Sequence, residues 1–246
     1  MDKIPSLNRN LVLITTFGIA MGALEAIVVV YLRMLYYPDG FEFPMKLIDP
    51  AVYGVEVLRE LATLVMLFSI AWLVGKSFYE RLAYFLLAFA VWDVFYYFWL
   101  KVLLDWPATL LDWDILFLIP ITWVGPVLSP LICCLIMTVM SGVILFFIQQ
   151  GIKVKFRWHE WLLVSAGALI IFYTYIRDYL NLLIEGGYLS NLANLSENLQ
   201  FRAIVLSYIP TLYSWGIFVL GISLILLANI TFWRRVRTPN RLMQSI

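Results

Sequence analysis

Charge is what this chain has least of. Asp, Glu, Lys and Arg make up 13% of its 246 residues, about half the share found in a soluble domain. Hydrophobic residues make up 63%. A soluble chain of that composition could not cover its surface with polar groups, which excludes an ordinary cytosolic enzyme and a disordered segment. The few charges balance to a net +1. No field of one sign therefore recruits a polyanion, and nucleic acid is excluded as a partner. His159 is the single histidine, which excludes sites built on several imidazoles. The two cysteines, Cys133 and Cys134, are sequence neighbours in an apolar run and build no disulfide framework.

What is present is long apolar runs, with a mean hydropathy of +0.89. A bilayer-spanning helix needs about 20 mainly apolar residues. Six stretches qualify, at 11–32, 54–75, 82–103, 127–148, 160–181 and 205–232. The chain reads as one integral membrane domain over 1–246, an all-α bundle of six spans whose obligatory partner is the lipid bilayer. The first stretch is too long for a signal peptide, and no small-residue cleavage site follows it, so it reads as a retained helix.

Basic residues orient the bundle. With both termini cytoplasmic, eleven of the 17 Lys and Arg fall on the cytoplasmic side, among them Lys76, Arg81, Lys153, Lys155, Arg157 and Arg234. Four fall outside: Arg33, Lys46, Lys101 and Arg202. The expected location is a cytoplasmic (inner) or plasma membrane. Trp99, Trp106, Trp113 and Trp123 then mark the outer interface and Trp72, Trp158, Trp161 and Trp233 the inner one.

The outer connections, 33–53, 104–126 and 182–204, are long, and long loops in compact proteins tend to carry function. The run 108–119 is too short and too acidic to span, and Pro107 and Pro120 bound it. It predicts a short interfacial or re-entrant helix. Within it, Asp112-Trp113-Asp114 resembles the D-x-D pair that holds a divalent cation in some glycosyl transfer sites. An acidic turn flanked by indoles is the plainer reading. Pro210 predicts a kink inside the sixth span.

Charges at membrane depth are costly, about 2.5–3.5 kcal/mol each at mid-helix. Seven residues qualify: Glu25, Glu56, Arg59, Glu60, Asp93, Arg177 and Asp178. At a rise of about 1.5 Å per residue, all lie in the outer half or at the midplane. Gly18, Gly22 and Glu25 share one helix face, as do Glu56, Arg59, Glu60 and Thr63, and Asp93 shares a face with Tyr96 and Tyr97. These nine residues, Tyr96 and Tyr97 included, form the candidate ligand-binding set of an outward-facing acidic and aromatic cavity with Asp93 at its floor. An internal ion-pair network is the competing account. Five carboxylates outnumber two arginines, which leaves room for a proton or cation, and the oxygen donors suit Ca²⁺, Mg²⁺ or Mn²⁺. The residues identify no cofactor. Binding or transport of a small solute or cation, with proton coupling, is the leading functional expectation. The alternatives are a non-catalytic subunit packed on other membrane subunits and a membrane enzyme acting on a lipid or isoprenoid.

Overall fold

The computed structural model describes residues 4–46, 48–187 and 199–243. Seven helices are present among them: α1 (Ile4–Tyr36), α2 (Pro50–Val74), α3 (Phe78–Leu104), α4 (Leu128–Gln149), α5 (Trp158–Glu185), α6 (Leu199–Ser207) and α7 (Trp215–Met243). All but the nine-residue α6 contain a segment long and apolar enough to cross a membrane. The protein is an integral multi-pass membrane protein built as a six-helix bundle.

Local chemistry sets several helix ends. Asp49 caps α2 by accepting the Ala51 N–H at 2.8 Å, and Pro50 follows at the first helical position. Ser77 accepts from the Glu80 N–H at 3.3 Å, and the Glu80 carboxylate reaches back to the Lys76 N–H at 2.9 Å. The sixth span differs from expectation. Pro210 does not kink a continuous helix; residues 208–214 are non-helical and separate α6 from α7. A proline removes a ladder donor and disfavours helix at the residue before it, and here the chain breaks instead of bending. The central part of loop 182–204, residues 188–198, lies outside the described residues.

The main helix pairings run α2–α3–α4–α7–α5, with α1 against α3 and α2. Two of these contacts are backbone-close. A Cβ at Gly22 would stand 2.8 Å from the Trp92 carbonyl oxygen, and one at Gly167 would stand 2.6 Å from the Gly221 carbonyl oxygen. Without a hydrophobic drive between helices in lipid, such close approach is what holds helix pairs together. No substantial pairing joins α2 to α5.

The segment expected as a short helix is a β-hairpin. β1 (Trp113–Phe117) pairs antiparallel with β2 (Trp123–Pro126), Ile115 opposite Val124, with a register shift between Ile115 and Phe117. Residues 108–112 form bends and turns, not helix. The hairpin folds in against α2: Leu118 at its tip bonds Glu60, ten residues from the start of that helix and about 15 Å along its axis. Non-helical backbone survives within a bilayer only where protein covers it. Here β2 packs on α5 and α4. Ile115-Leu116-Phe117-Leu118-Ile119 is apolar at every position and lacks the apolar–polar alternation that marks a half-exposed strand, so it reads as a plain apolar run.

The opposite end of the bundle is closed by aromatic rings. Phe156, in the α4–α5 connection, stacks on Tyr79 at 5.7 Å and on Phe232 at 4.3 Å. Its N–H donates to the Tyr79 hydroxyl at 3.0 Å. Glu160 is fully buried beneath it and takes Arg235 at 2.7 Å, tying α5 to α7.

Candidate functional site

A cavity of about 480 Å³ lies inside the ring of helices, beneath the hairpin. Phe117, Ile119 and Trp123 form its roof. Phe89, Trp92, Asp93 and Tyr97 of α3, Cys133, Met137 and Met140 of α4, and Phe172 and Tyr175 of α5 form its walls. Leu64 of α2, Ala168 of α5 and Ile222 and Ile225 of α7 also line it, and no described residue of α1 does. This size suits a small organic molecule, and pockets of that kind are mostly apolar with few polar groups.

Among the described residues, Asp93 is the one charged side chain in the lining. Its carboxylate accepts from the Cys134 thiol at 3.2 Å and has no ion pair among the described residues. A thiol is a weak donor, so most of the acceptor capacity of the carboxylate is unused. Close by, the Cys133 sulfur and Tyr175 hydroxyl stand 3.5 Å apart, and Trp123 stacks on Tyr175 at 5.9 Å. The buried indole N–H groups of Trp92 and Trp123 find no acceptor among the described residues. Most buried polar groups are paired, so the spare indole donors and the spare carboxylate acceptor set this chamber apart.

The glutamates expected in the same cavity are elsewhere. Arg59 bonds Glu25 of α1, bonds Glu56 at 2.7 Å and stands 4.0 Å from Glu60. Thr63 donates to Glu25 at 3.5 Å. Glu60 accepts the Leu118 N–H with its two oxygens at 3.1 and 3.0 Å. These four charged residues brace α1, α2 and the hairpin tip, and none lines the chamber. Tyr97 does line it. Tyr96 instead packs beside Tyr97, their rings 4.8 Å apart, in a cluster with Ala26 and Val127. Arg177 bonds Ser214, and Asp178 accepts from the Tyr208 hydroxyl at 2.6 Å, so both fasten α5 to the α6–α7 connection. Among the described residues no three His, Cys, Asp or Glu side chains stand together as a metal-binding group; Arg59 occupies the space between the glutamates.

The two aspartates of the D-x-D triplet point to different tasks. Asp112 accepts from the Thr109 hydroxyl at 2.7 Å and the Ala108 N–H at 2.8 Å, closing the 108–112 turn. Asp114 is buried and takes Arg33 at 3.1 Å. The Arg33 guanidinium lies over Trp106 at 3.8 Å and Phe41 at 4.4 Å. Burial pushes the Asp114 carboxyl above its ordinary range, against the opposing pull of Arg33 and of the Ile115 N–H. Lys101 stays at the surface with Asp105 at 2.7 Å. The indoles also divide. Trp72 and Trp158 are exposed as an interfacial belt requires, whereas Trp106 and Trp123 serve Arg33 and the chamber.

No protein-family model, curated protein or solved structure matches this chain.

Proposed function

We propose that this membrane protein binds a small, mostly apolar molecule in the chamber, with Asp93 holding the one cationic or hydrogen-bond-donating group of that molecule. The observation that carries this is the carboxylate itself: one charge in an apolar cavity, met only by a thiol. A buried charge is tolerable when it is paired, and a ligand amine would supply the pair. The aromatic walls would take the rest of the molecule. The acidic group around Arg59 supports a bracing role, because its charges already face Arg59 and the Leu118 N–H.

Transport, coupled to a proton through Asp93, extends the same proposal. So does placement in a cytoplasmic or plasma membrane with both termini on the cytoplasmic side, which the basic residues at one end of the bundle support. The test is mass spectrometry of small molecules retained when the protein is purified from its membrane. Wild-type protein should carry an apolar compound with an amine or hydroxyl group, and Asp93→Asn should lose it. Identical retained compounds on both proteins would overturn the assignment.

A further inference from the structure

We infer that the ligand is a lipid-soluble amphiphile with an amine head, and that it reaches the chamber sideways from the bilayer through the seam between α2 and α5. The inference rests on the chamber being a binding site, and adds where the occupant comes from. Both ends of the chamber are shut. At one end the hairpin roof is pinned twice, by Glu60 on the Leu118 N–H and by Arg33 on Asp114. At the other, Tyr79, Phe156 and Phe232 stack across the bundle. Around the sides, among the described residues, helix backbones approach closely from α2 through α3, α4 and α7 to α5 but not between α5 and α2, which are joined through Thr122 of the hairpin to Tyr53 and Tyr179, about three helical turns from Leu64 and Ala168.

Leu64 on α2 and Ala168 on α5 line the chamber from the two lips of that seam. Ala168 is exposed, and its side chain is a single methyl group. The outward neighbours Val65 and Leu169 are exposed at 63% and 66%, as lipid-facing residues are. Around Leu64, Val65, Ala168 and Leu169 the seam is apolar and offers nothing to the hydration shell of a polar solute, whereas an alkyl chain passes from lipid to aromatic wall between like surroundings. Asp93 then sets the head group, since a carboxylate among apolar residues favours a cation over a neutral or anionic head.

The test uses the full-length protein in nanodiscs and a dodecylamine carrying a diazirine on its chain, loaded into the bilayer. After brief illumination, peptides bearing label are mapped. Label should appear on the α2 and α5 segments around Leu64 and Ala168 and on the chamber walls. Leu169→Trp and Val65→Trp, each checked for folding by thermal unfolding, crowd the seam from opposite lips at positions that do not line the chamber. Each should slow wall labelling several-fold while leaving the end point of long incubation unchanged. Wall labelling at the wild-type rate in both folded variants overturns the seam. So does faster labelling of wild-type walls by a diazirine butylamine supplied in water than by the bilayer-loaded probe, a comparison that needs no variant. No wall labelling under any condition would instead overturn the binding site itself.

Discussion

Glu60 on α2 accepts the backbone N–H of Leu118 with its two carboxylate oxygens, at 3.1 and 3.0 Å. A side chain of a spanning helix thus completes the hydrogen bonding of a part-buried hairpin tip, and this fixes the roof of the chamber. Glu60→Ala leaves that donor unpaired, which should cost about 1–3 kcal/mol of stability. Glu60→Gln keeps an acceptor and should cost less. Thermal unfolding of the purified variants checks the order; equal loss in both would separate the hairpin from Glu60.

Arg59 faces three glutamates and is their one cation among the described residues. Removing one partner of a buried charge group typically costs about 3–5 kcal/mol. Arg59→Met should lose that much, because the glutamates remain. Arg59→Lys should fall between, since an ammonium cannot span several carboxylates as a guanidinium does. The measurement is again unfolding, with ligand retention scored in parallel. Retention should persist in Arg59→Lys, because the brace lies outside the chamber.

Gly22 and Gly167 are sites where a methyl group meets backbone, at 2.8 Å from the Trp92 oxygen and 2.6 Å from the Gly221 oxygen. Gly22→Ala and Gly167→Ala should each destabilise by about 1–3 kcal/mol, as overpacking does. Gly142→Ala, with open space around its added Cβ, is the control and should be close to neutral in a thermal-unfolding series.

The turn at 108–112 should loosen in acid. Burial pushes the Asp112 carboxyl up, but the Thr109 hydroxyl and the Thr109 and Ala108 N–H groups outweigh it and hold the carboxyl below its ordinary value. A carboxyl that is a stronger acid in the fold than in the unfolded chain stabilises the fold above its unfolded pKa. That contribution is lost as pH falls through the folded value. Hydrogen exchange at Ala108 and Thr109, corrected for intrinsic rate, should rise at acid pH in the wild type. Asp112→Asn should remove that dependence.

The six spans were legible because hydrophobic length is a direct physical requirement of the bilayer, and Gly18 and Gly22 correctly marked the face of α1 that meets α3. The pairing of Arg59 with Glu25 was foreshadowed by shared depth. Depth alone could not tell that Asp93 faces a different space, since that depends on the rotation of α3 about its axis and on where the hairpin comes to rest. The hairpin was hidden for a related reason: Ile115 to Ile119 is apolar on both faces, so neither period of two nor of 3.6 stands out. Cys134 carried no signal beyond an apolar run, and its role comes only from facing Asp93 across α3 and α4. The Arg33–Asp114 pair spans 81 positions, a separation at which sequence pattern gives no guidance.

Whether Asp93 selects an amine head is tested most directly by equilibrium binding of two probes with the same twelve-carbon chain, dodecylamine and dodecanol, to the wild type and to Asp93→Asn. The wild type should bind the amine more tightly than the alcohol, and Asp93→Asn should bind the two alike while unfolding at a temperature close to that of the wild type. Equal affinity of the wild type for amine and alcohol, or a preference for the amine that survives Asp93→Asn, would contradict the account.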